Sequence, residues 1–408
     1  MQGPRIHSVL HDFLGDGIFN ADGEQWKKHR KIASAEFSNA KLKSMSLRTF
    51  RRDALRLLHL LHRASPSRRP LDIQDLLMRM TMESLCKVGF GVELGALSPS
   101  LPDAPFGRAF DNVNEVIVTR IINPIWKMQR VLNIGNERRV KENIKLLNNF
   151  TWNVIQRRKA DQQDGGMVEA REDLLSRFMK YNKGKGGAYN DEELRDSILN
   201  FMIAGRDTTA VALSWFLYCV CKHPCAGDKI YKEGLEVLGL QENHGLGFED
   251  VAQKIEYEHL AKMHYLHAAL SETLRLYPPV PRDGKTALKN DVLPDGTFVE
   301  KGAQVSYVPY SMGRMEFLWG PDALSYNPQR WLRDGVFHSE SPFKFSAFQA
   351  GPRICLGRDS AYLQMKMAAS LLLHFFKFDL AEGYDVKYRV MMVMPIANGL
   401  YVRVSPRS

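Results

Sequence analysis

The chain has 408 residues, 44% of them hydrophobic and 25% charged, and its net charge is +10. This composition is typical of a globular protein and excludes a disordered or fibrous one, and the length allows one large core or two domains. No apolar run of about 18 residues or more is present, so the sequence predicts neither a transmembrane helix nor a signal peptide. The positive charge comes without a motif that reads nucleic acid, so we expect no nucleic-acid binding.

Helical periodicity dominates the first two thirds of the chain, where apolar residues recur at helical spacing. The predicted helices are residues 42–61, 73–90, 105–119, 137–159, 172–179, 190–221, 225–238 and 257–276. The last third is richer in β-strand patterns, with a hairpin turn at 292–297, a strand at 302–308 and a final hairpin at 390–404. The predicted fold class is therefore mainly α (α+β), helix-rich with a small β-subdomain.

Trp26 and Arg30 lie four residues apart in the basic segment W-K-K-H-R, so they share one face of a helix. A basic turn of this kind is usually only a solvated surface. Its meaning depends on the motifs that follow it in the chain.

The predicted helix 190–221 is apolar along most of its length but is interrupted by A-G-R-D-T-T at 204–209. Glycine costs a helix about 1 kcal/mol relative to alanine. Aspartate and threonine compete with the backbone hydrogen bonds of a helix. The segment is therefore either a structural kink or a functional site whose chemistry requires these residues.

Glu272 and Arg275 lie three apart in the helix that the two prolines at 278–279 end, so they share a helical face. Most such pairs are ordinary ion pairs. A further arginine, Arg330, lies downstream in the loop N-P-Q-R-W.

The segment F-Q-A-G-P-R-I-C-L-G at 348–357 places Cys355 in a turn built around glycines. Gly351 allows a positive φ and a close approach to a flat cofactor, and backbone N–H groups near the sulfur can tune a metal ligand. A thiolate held in this way suits iron, with Arg353 as a cation for an acidic group and Phe348 as a cover. The alternative is a buried structural cysteine.

This segment resembles the haem-binding loop of the cytochrome P-450 family, F-x-x-G-x-R-x-C-x-G, at every fixed position. The resemblance implies that Cys355 ligates the iron of haem b. It also implies that other residues hold the porphyrin and its propionates, namely Trp26, Arg30, Lys285, Phe348, Gly351, Arg353 and Gly357. The assignment of Lys285 to this group rests on its spacing in the sequence alone. Because the motifs extend from residue 26 to residue 357, we expect a single P-450 domain over residues 1–408.

The other motifs also match this family in chain order. The resemblance implies that Thr208 forms a hydrogen bond with bound oxygen and that Asp207 helps to relay protons to it. Glu272, Arg275 and Arg330 resemble the family's core-locking triad. Gln329 and Trp331 replace its usual Glu and Phe.

The substrate is indicated by strings that resemble plant-type fatty-acid ω-hydroxylases. The strings are L-Y-P-P-V-P-R-D-G-K, L-P-D-G-T, P-Y-S-M-G-R and the cysteine loop. We therefore expect a haem-thiolate monooxygenase that ω-hydroxylates long-chain fatty acids. The residues carried over to its substrate pocket are Phe19, Ile203, Ala204, Val280 and Ile396. The alternatives are another lipid or terpenoid substrate, or a truncated, non-catalytic haem-binding product.

The resemblance also implies partners and a location. Electrons are expected from NADPH through cytochrome P-450 reductase, steered by a basic proximal surface. The lysines and arginines expected there are Lys27, Lys28, Lys31, Lys344, Arg358 and Lys366. Relatives usually begin with a membrane anchor, so we expect that this chain lacks an N-terminal portion. The full-length form is expected at the cytosolic face of the endoplasmic reticulum membrane.

Three of the five cysteines, Cys219, Cys221 and Cys225, cluster at the end of the long helix. Zinc sites normally combine two pairs of ligands from different parts of a chain. Unpaired thiols in a reducing compartment are the favoured interpretation.

Overall fold

The computed structural model describes residues 2–101, 105–163, 173–184, 189–242, 245–389 and 391–407. Helices form most of the described chain. The first nine are α1 (Gly3–Leu14), α2 (Gly23–Phe37), α3 (Ala40–Ala64), α4 (Ile73–Phe90), α5 (Pro105–Ile122), α6 (Trp126–Leu132), α7 (Gly135–Gln163), α8 (Leu174–Gly184) and α9 (Asp191–Met202). The next eight are α10 (Thr208–Lys222), α11 (Pro224–Leu238), α12 (Phe248–Lys254), α13 (Tyr257–Lys262), α14 (His264–Leu276), α15 (Pro309–Met312), α16 (Glu316–Trp319) and α17 (Arg358–Phe375).

The described strands form small antiparallel sheets. In the largest, β9 (Tyr401–Pro406) lies between β1 (Leu71–Asp72) and β8 (Phe376–Leu380). The other pairs are β2 (Asp283–Thr286) with β5 (Gln304–Tyr307), β3 (Asp291–Val292) with β4 (Phe298–Val299), and β6 (Leu332–Arg333) with β7 (Val336–Phe337).

Local capping explains where several helices begin and end. The Asp72 carboxylate accepts the N–H groups of Gln74 and Asp75 at the start of α4, and Gly91 ends that helix in the left-handed region. Asn190 begins α9 with a capping box completed by Glu193. The sequence therefore specifies these termini locally.

The core consists of two large apolar clusters. One surrounds α10 and includes residues of α3, α4, α14 and α17. The other joins α1, α4, α5, α7, α8 and α9. The continuous segment α9–α10 passes from the second cluster into the first, so it crosses the core of the molecule.

Most predicted elements are confirmed. The helix predicted at 73–90 has these same bounds, and those at 42–61, 105–119, 137–159 and 225–238 differ by a few residues at their ends. The hairpin turn at 292–297 and the strand within 302–308 are also present. The start of the helix predicted at 172–179 lies outside the described residues, and α8 covers its remainder. The helix α1 was not predicted.

The single helix predicted at 257–276 is wrong, because the chain breaks into α13 and α14 at Met263. The Lys366 ammonium donates hydrogen bonds to the carbonyls of Leu260 and Met263, at 2.7 and 3.1 Å. The Glu233 carboxylate accepts the first free N–H groups of α14. Two charged side chains from other helices therefore stabilise the break.

The hairpin predicted at 390–404 is also wrong. Residue 390 lies outside the described residues, and the outcome concerns residues 391–404. β9 pairs with β8 and β1, and residues 391–395 form no strand. Gln74 binds the backbone of Ile396 instead, donating to its carbonyl and accepting its N–H at 2.9 Å each. A side chain thus satisfies the groups that a strand partner would have used.

None of the described helices combines the length and the apolar character needed to cross a membrane.

Candidate active site

Between α9 and α10 the helix widens into a π-turn at Ile203–Asp207. This is the interruption that the sequence predicted, and such turns are common at functional sites. Ala204, Gly205 and Thr208 are partly exposed although buried residues lie on both sides of them in the same helix. The middle of the helix therefore borders an open space that a water-sized molecule can reach.

Two contacts shape this turn. Thr208 Oγ1 donates a 2.5 Å hydrogen bond to the carbonyl of Ala204, which a π-turn leaves without its usual helical partner. A Cβ on Gly205 would lie 2.8 Å from a methyl group of Leu85 on α4, so a larger residue would push that side chain aside. The hydroxyl thus pairs a carbonyl of the turn, and the glycine leaves room for Leu85.

Asp207 is buried, and two side chains hold its carboxylate. Oδ1 accepts a hydrogen bond from Arg206 at 2.7 Å, and Oδ2 accepts one from Asn114 Nδ2 on α5 at 2.8 Å. Burial raises the pKa of Asp207 to about 6, while the Arg206 guanidinium opposes the rise. The Arg206 guanidinium also donates hydrogen bonds to the carboxylate of Asp111. The acid that the sequence selected is thus fixed in place and titrates at mildly acidic pH.

The cysteine loop has the geometry expected of a ligand loop. The N–H of Cys355 donates to the carbonyl of Phe348 at 2.8 Å, and Gly351 adopts φ = 69°, which favours glycine. The ring of Phe348 packs beside Tyr362 on α17. The loop therefore presents its thiol from a closed turn.

The Cys355 side chain borders solvent on one side and packed protein on the other. The packed protein raises the pKa of the thiol by desolvation. The Gly357 N–H and the charges of Arg30 and Arg358 act in the opposite direction. The donors that would stabilise a thiolate are thus already in place.

Residues far apart in the sequence meet beside this loop. Arg30 Nη1 donates to the carbonyl of Ile354 at 2.6 Å. The Arg353 guanidinium lies 4.6 Å from the ring centre of Trp26 and pairs with Asp22 at 2.8 Å. Four of the residues predicted for the porphyrin are expected to contact its propionates, and three of these, Trp26, Arg30 and Arg353, are therefore brought together.

Lys285, the fourth, pairs with Asp283 at 2.6 Å. The charge of Asp283 also raises the pKa of Arg353, which burial lowers overall. Asp283 therefore pairs with Lys285 and also acts on Arg353 through its charge.

The predicted core triad is assembled. Arg275 forms two 2.8 Å hydrogen bonds with the Glu272 carboxylate, and Arg330 Nε forms one of 2.9 Å. Trp331, which had counted as a departure from the family pattern, donates its indole N–H to Glu272 Oε2 at 2.9 Å. The buried carboxylate therefore accepts five hydrogen bonds from four residues once the N–H of Asn327 is included.

Comparison with known proteins decides the family. A model of the family described as cytochrome P450 matches residues 2–401. The chain belongs to the cytochrome P-450 family. Similar relatives include cytochromes P-450 704B1 and 86B1 of Arabidopsis thaliana and 704C1 of Pinus taeda. The first is 46% identical, the second 43% and the third 45%. Each alignment covers all of this chain and 83%, 74% and 80% of these relatives, respectively.

This P-450 is a monooxygenase that uses haem b, O2 and electrons delivered from NAD(P)H by a redox partner. Its own residues fit the haem. The cysteine loop offers an accessible thiol, Arg30 and Arg353 supply positive charge beside it, and the π-turn keeps small side chains at an open space. When bound, the haem supplies the redox chemistry that activates oxygen.

The predicted substrate-pocket residues of the P-450 do not form one cluster. Phe19 is exposed, and Ala204 and Val280 are partly exposed. Ile203 is buried in the cluster around α1, α5 and α9, whereas Ile396 is buried in the one around α10. The pocket assignment therefore stays a prediction.

The basic surface predicted for an electron donor is smaller than expected. Lys366 is buried against the carbonyls that end α13, so its placement on the surface is wrong. Lys28 and Lys344 are partly buried and pair with Glu193 and Glu340. The exposed members are Lys27, Lys31 and Arg358.

Sequence reasoning missed three contributors to the site. Asn114 and Arg206 hold Asp207, and Trp331 adds a hydrogen bond to Glu272 of the triad. The signal for Arg206 was its position inside A-G-R-D-T-T, where a charge in a buried helix requires partners. Asn114 carried no comparable signal, since it is one polar residue in an ordinary helix.

Proposed function

We propose that this P-450 hydroxylates the terminal carbon of long-chain fatty acids. The proposal is carried by the open space at Ala204 and Thr208, in a helix that is otherwise buried. The choice of a fatty acid rests on the strings at 276–285, 293–297, 309–314 and 348–357, which resemble fatty-acid ω-hydroxylases. The predicted pocket residues Phe19, Ile203, Val280 and Ile396 are apolar and suit a hydrocarbon chain.

In this proposal Cys355 ligates the haem iron, and Phe348, Gly351 and Gly357 frame the ligand. The Gly357 N–H and the Arg30 guanidinium stabilise the thiolate charge. Trp26, Arg30, Lys285 and Arg353 hold the propionates. The carboxylates of Asp22 and Asp283, which pair with Arg353 and Lys285, position these two cations.

The residues that we propose to act on the oxygen substrate lie in and next to the π-turn. Thr208 is partly exposed beside the open space, and its hydroxyl can exchange its hydrogen bond to Ala204 for one to the oxygen substrate. Asp207 holds a proton at Oδ1 or Oδ2 and passes it towards that space. Its raised pKa suits a group that takes up and releases a proton near neutral pH.

The substrate test compares a saturated long-chain fatty acid with a terpenoid alcohol of similar length. We expect the fatty acid to shift the haem spectrum and to give the ω-hydroxy acid with NADPH and reductase. An Ala204→Leu variant fills the open space beside Thr208, so it should lose the spectral shift while keeping its haem. Turnover of the terpenoid without turnover of the fatty acid would overturn the proposed substrate.

The remaining proposals concern domain, partner and location. The apolar cluster around α10 includes residues from α3 to β9, which supports one P-450 domain over residues 1–408.

The exposed cations Lys31 and Arg358 support docking of an acidic NADPH–cytochrome P-450 reductase. A Lys31→Glu variant should raise the KM for reductase, and an unchanged KM would remove this residue from the docking surface.

Membrane association is supported by exposed apolar residues from the end of α5 to the start of α7. They are Ile122, Ile125, Met128, Val131, Leu132 and Ile134. A patch of this kind beside Lys127 and Arg130 suits an anionic lipid surface, as expected at the endoplasmic reticulum. A double variant with Ile122→Ser and Val131→Ser should sediment with liposomes to a smaller extent than the wild type. The control, Phe317→Ser at another exposed site, should not.

A further inference from the structure

A cluster of metal-ligating side chains lies on α1 and just after its end. His7 and His11 are four residues apart on this helix, and Asp16 follows the turn that ends it. The ligand atoms of these three residues all lie within 4.8 Å of one another. Two histidines at this helical spacing with a nearby carboxylate form a donor set that binds zinc and similar ions.

The distances within the cluster are close to those of a zinc site. His7 Nε2 lies 2.7 Å from Asp16 Oδ1, and His11 Nε2 lies 3.9 Å from Asp16 Oδ2. Ligand atoms about 2.0–2.1 Å from a tetrahedral zinc ion are about 3.3 Å apart. The 2.7 Å separation must therefore open by about 0.6 Å, and the 3.9 Å separation must close by about 0.6 Å if both carboxylate oxygens bind the ion.

The backbone that carries the cluster is fixed by contacts outside it. Gly15 turns the chain with φ = 54°, and a Cβ there would lie 2.1 Å from the carboxylate of Asp196. The same carboxylate accepts the N–H of Asp16 at 2.8 Å. The buried Asn20 donates to the carbonyls of His7 and Gly15. The backbone positions of the three ligands are therefore set before any ion binds.

We propose that His7, His11 and Asp16 bind a divalent transition-metal ion such as zinc, with water completing the coordination. All three side chains are partly exposed, so the ion and the water can enter from solvent. The bound ion links α1 to the turn before α2, and that turn carries Phe19. The site thus stabilises the part of the chain next to the predicted substrate pocket. It does not depend on which substrate is used.

The test uses the haem-loaded chain, titrated with zinc chloride in competition with a chromogenic chelator. His11→Gln is the informative variant, because His11 is exposed and lies 3.9 Å from the carboxylate, so the fold does not need it. His59→Gln is the matched control. His59 is also exposed and pairs with one carboxylate, Glu249 at 2.7 Å, with no third ligand among the described residues. Cys225→Ser accounts for zinc bound by an exposed thiol.

The wild-type chain, His59→Gln and Cys225→Ser should each bind one more equivalent of zinc than His11→Gln. Loss of a ligand should weaken binding at least about tenfold. Zinc should also raise the thermal midpoint of the wild type and of His59→Gln, but not that of His11→Gln. The proposal is overturned if His11→Gln binds zinc as the wild type does, or if Cys225→Ser loses the additional equivalent of bound zinc. In the first case the His7–Asp16 contact is only a hydrogen bond.

Discussion

Asn114 on α5 donates a 2.8 Å hydrogen bond to Asp207 in the π-turn, across 93 positions of the sequence. Both side chains are buried, so the amide acts on the carboxylate without competition from water. It stabilises the ionised acid, while burial raises the pKa of that acid to about 6. Through this hydrogen bond, α5 helps to set the protonation of the proposed proton relay.

An Asn114→Leu change should raise the pKa of Asp207 further. A hydrogen bond to a charged group contributes about 1.5–3 kcal/mol, which corresponds to about one to two pH units. The limb of the pH–activity profile that reports Asp207 should move to higher pH by that amount. Asn112→Leu, on the same helix but partly exposed, should leave it in place. A limb that does not move in Asn114→Leu would show that the amide does not tune this acid.

Asp207 should also make stability depend on pH. Its pKa in the folded chain exceeds the ordinary value of 3.8, so the folded chain holds the proton more tightly than the unfolded chain. Its contribution is therefore greatest at pH values below about 4 and is lost as pH rises through about 6. Asp207→Asn should remove this dependence from the free energy of unfolding measured with denaturant between pH 4 and pH 7. The same slope in both proteins would contradict the raised pKa.

Thr208 and Thr209 are adjacent but differ in environment, since the first is partly exposed and the second is buried. Thr208→Ala should therefore keep haem and substrate binding but form less product per NADPH consumed, as oxygen loses a hydrogen-bonding partner. Thr208→Ser, which restores a hydroxyl, should recover the coupling. Thr209→Ala is the neighbouring control and should stay coupled. Equal coupling in Thr208→Ala and the wild type would remove Thr208 from this role.

The parts that the sequence predicted well are those that neighbouring residues determine. The bounds of α4 follow from apolar periodicity between the Asp72 cap and Gly91, and the cysteine loop follows from fixed residues within ten positions. The break at Met263 and the support of Asp207 by Asn114 depend on side chains from distant segments. A local sequence pattern does not predict contacts that form only after folding.

Trp331 illustrates a substitution whose role appears only in three dimensions. Its indole N–H donates to the buried Glu272 carboxylate, which a phenylalanine cannot do. Trp331→Phe should lower the free energy of unfolding by about 1.5–3 kcal/mol, the range for a hydrogen bond to a charged group. Trp319→Phe is the matched control, because its indole donates to the neutral carbonyl of Met312. We expect it to cost about 0.5–1.5 kcal/mol. Equal losses in denaturant unfolding would mean that the carboxylate does not need Trp331.

Lys366 should make stability rise with pH in mildly alkaline solution. Burial lowers its pKa from 10.5 to about 8, so between these values the unfolded chain binds the proton more tightly. The free energy of unfolding should thus gain a positive contribution as pH rises from about 8 to about 10. Lys366→Met should remove that slope, whereas Lys232→Met, at an exposed lysine on α11, should keep it. The same slope in Lys366→Met as in the wild type would contradict the lowered pKa.

The most direct test of the haem-thiolate assignment is the absorption difference spectrum of the reduced carbon-monoxide complex. The wild-type chain should show the red-shifted Soret band that gives the family its name, because a thiolate ligates the iron. Cys225→Ser should keep this band, and Cys355→Ala should lose it together with all monooxygenase activity. The thiolate band in Cys355→Ala would contradict the assignment of Cys355 as the iron ligand.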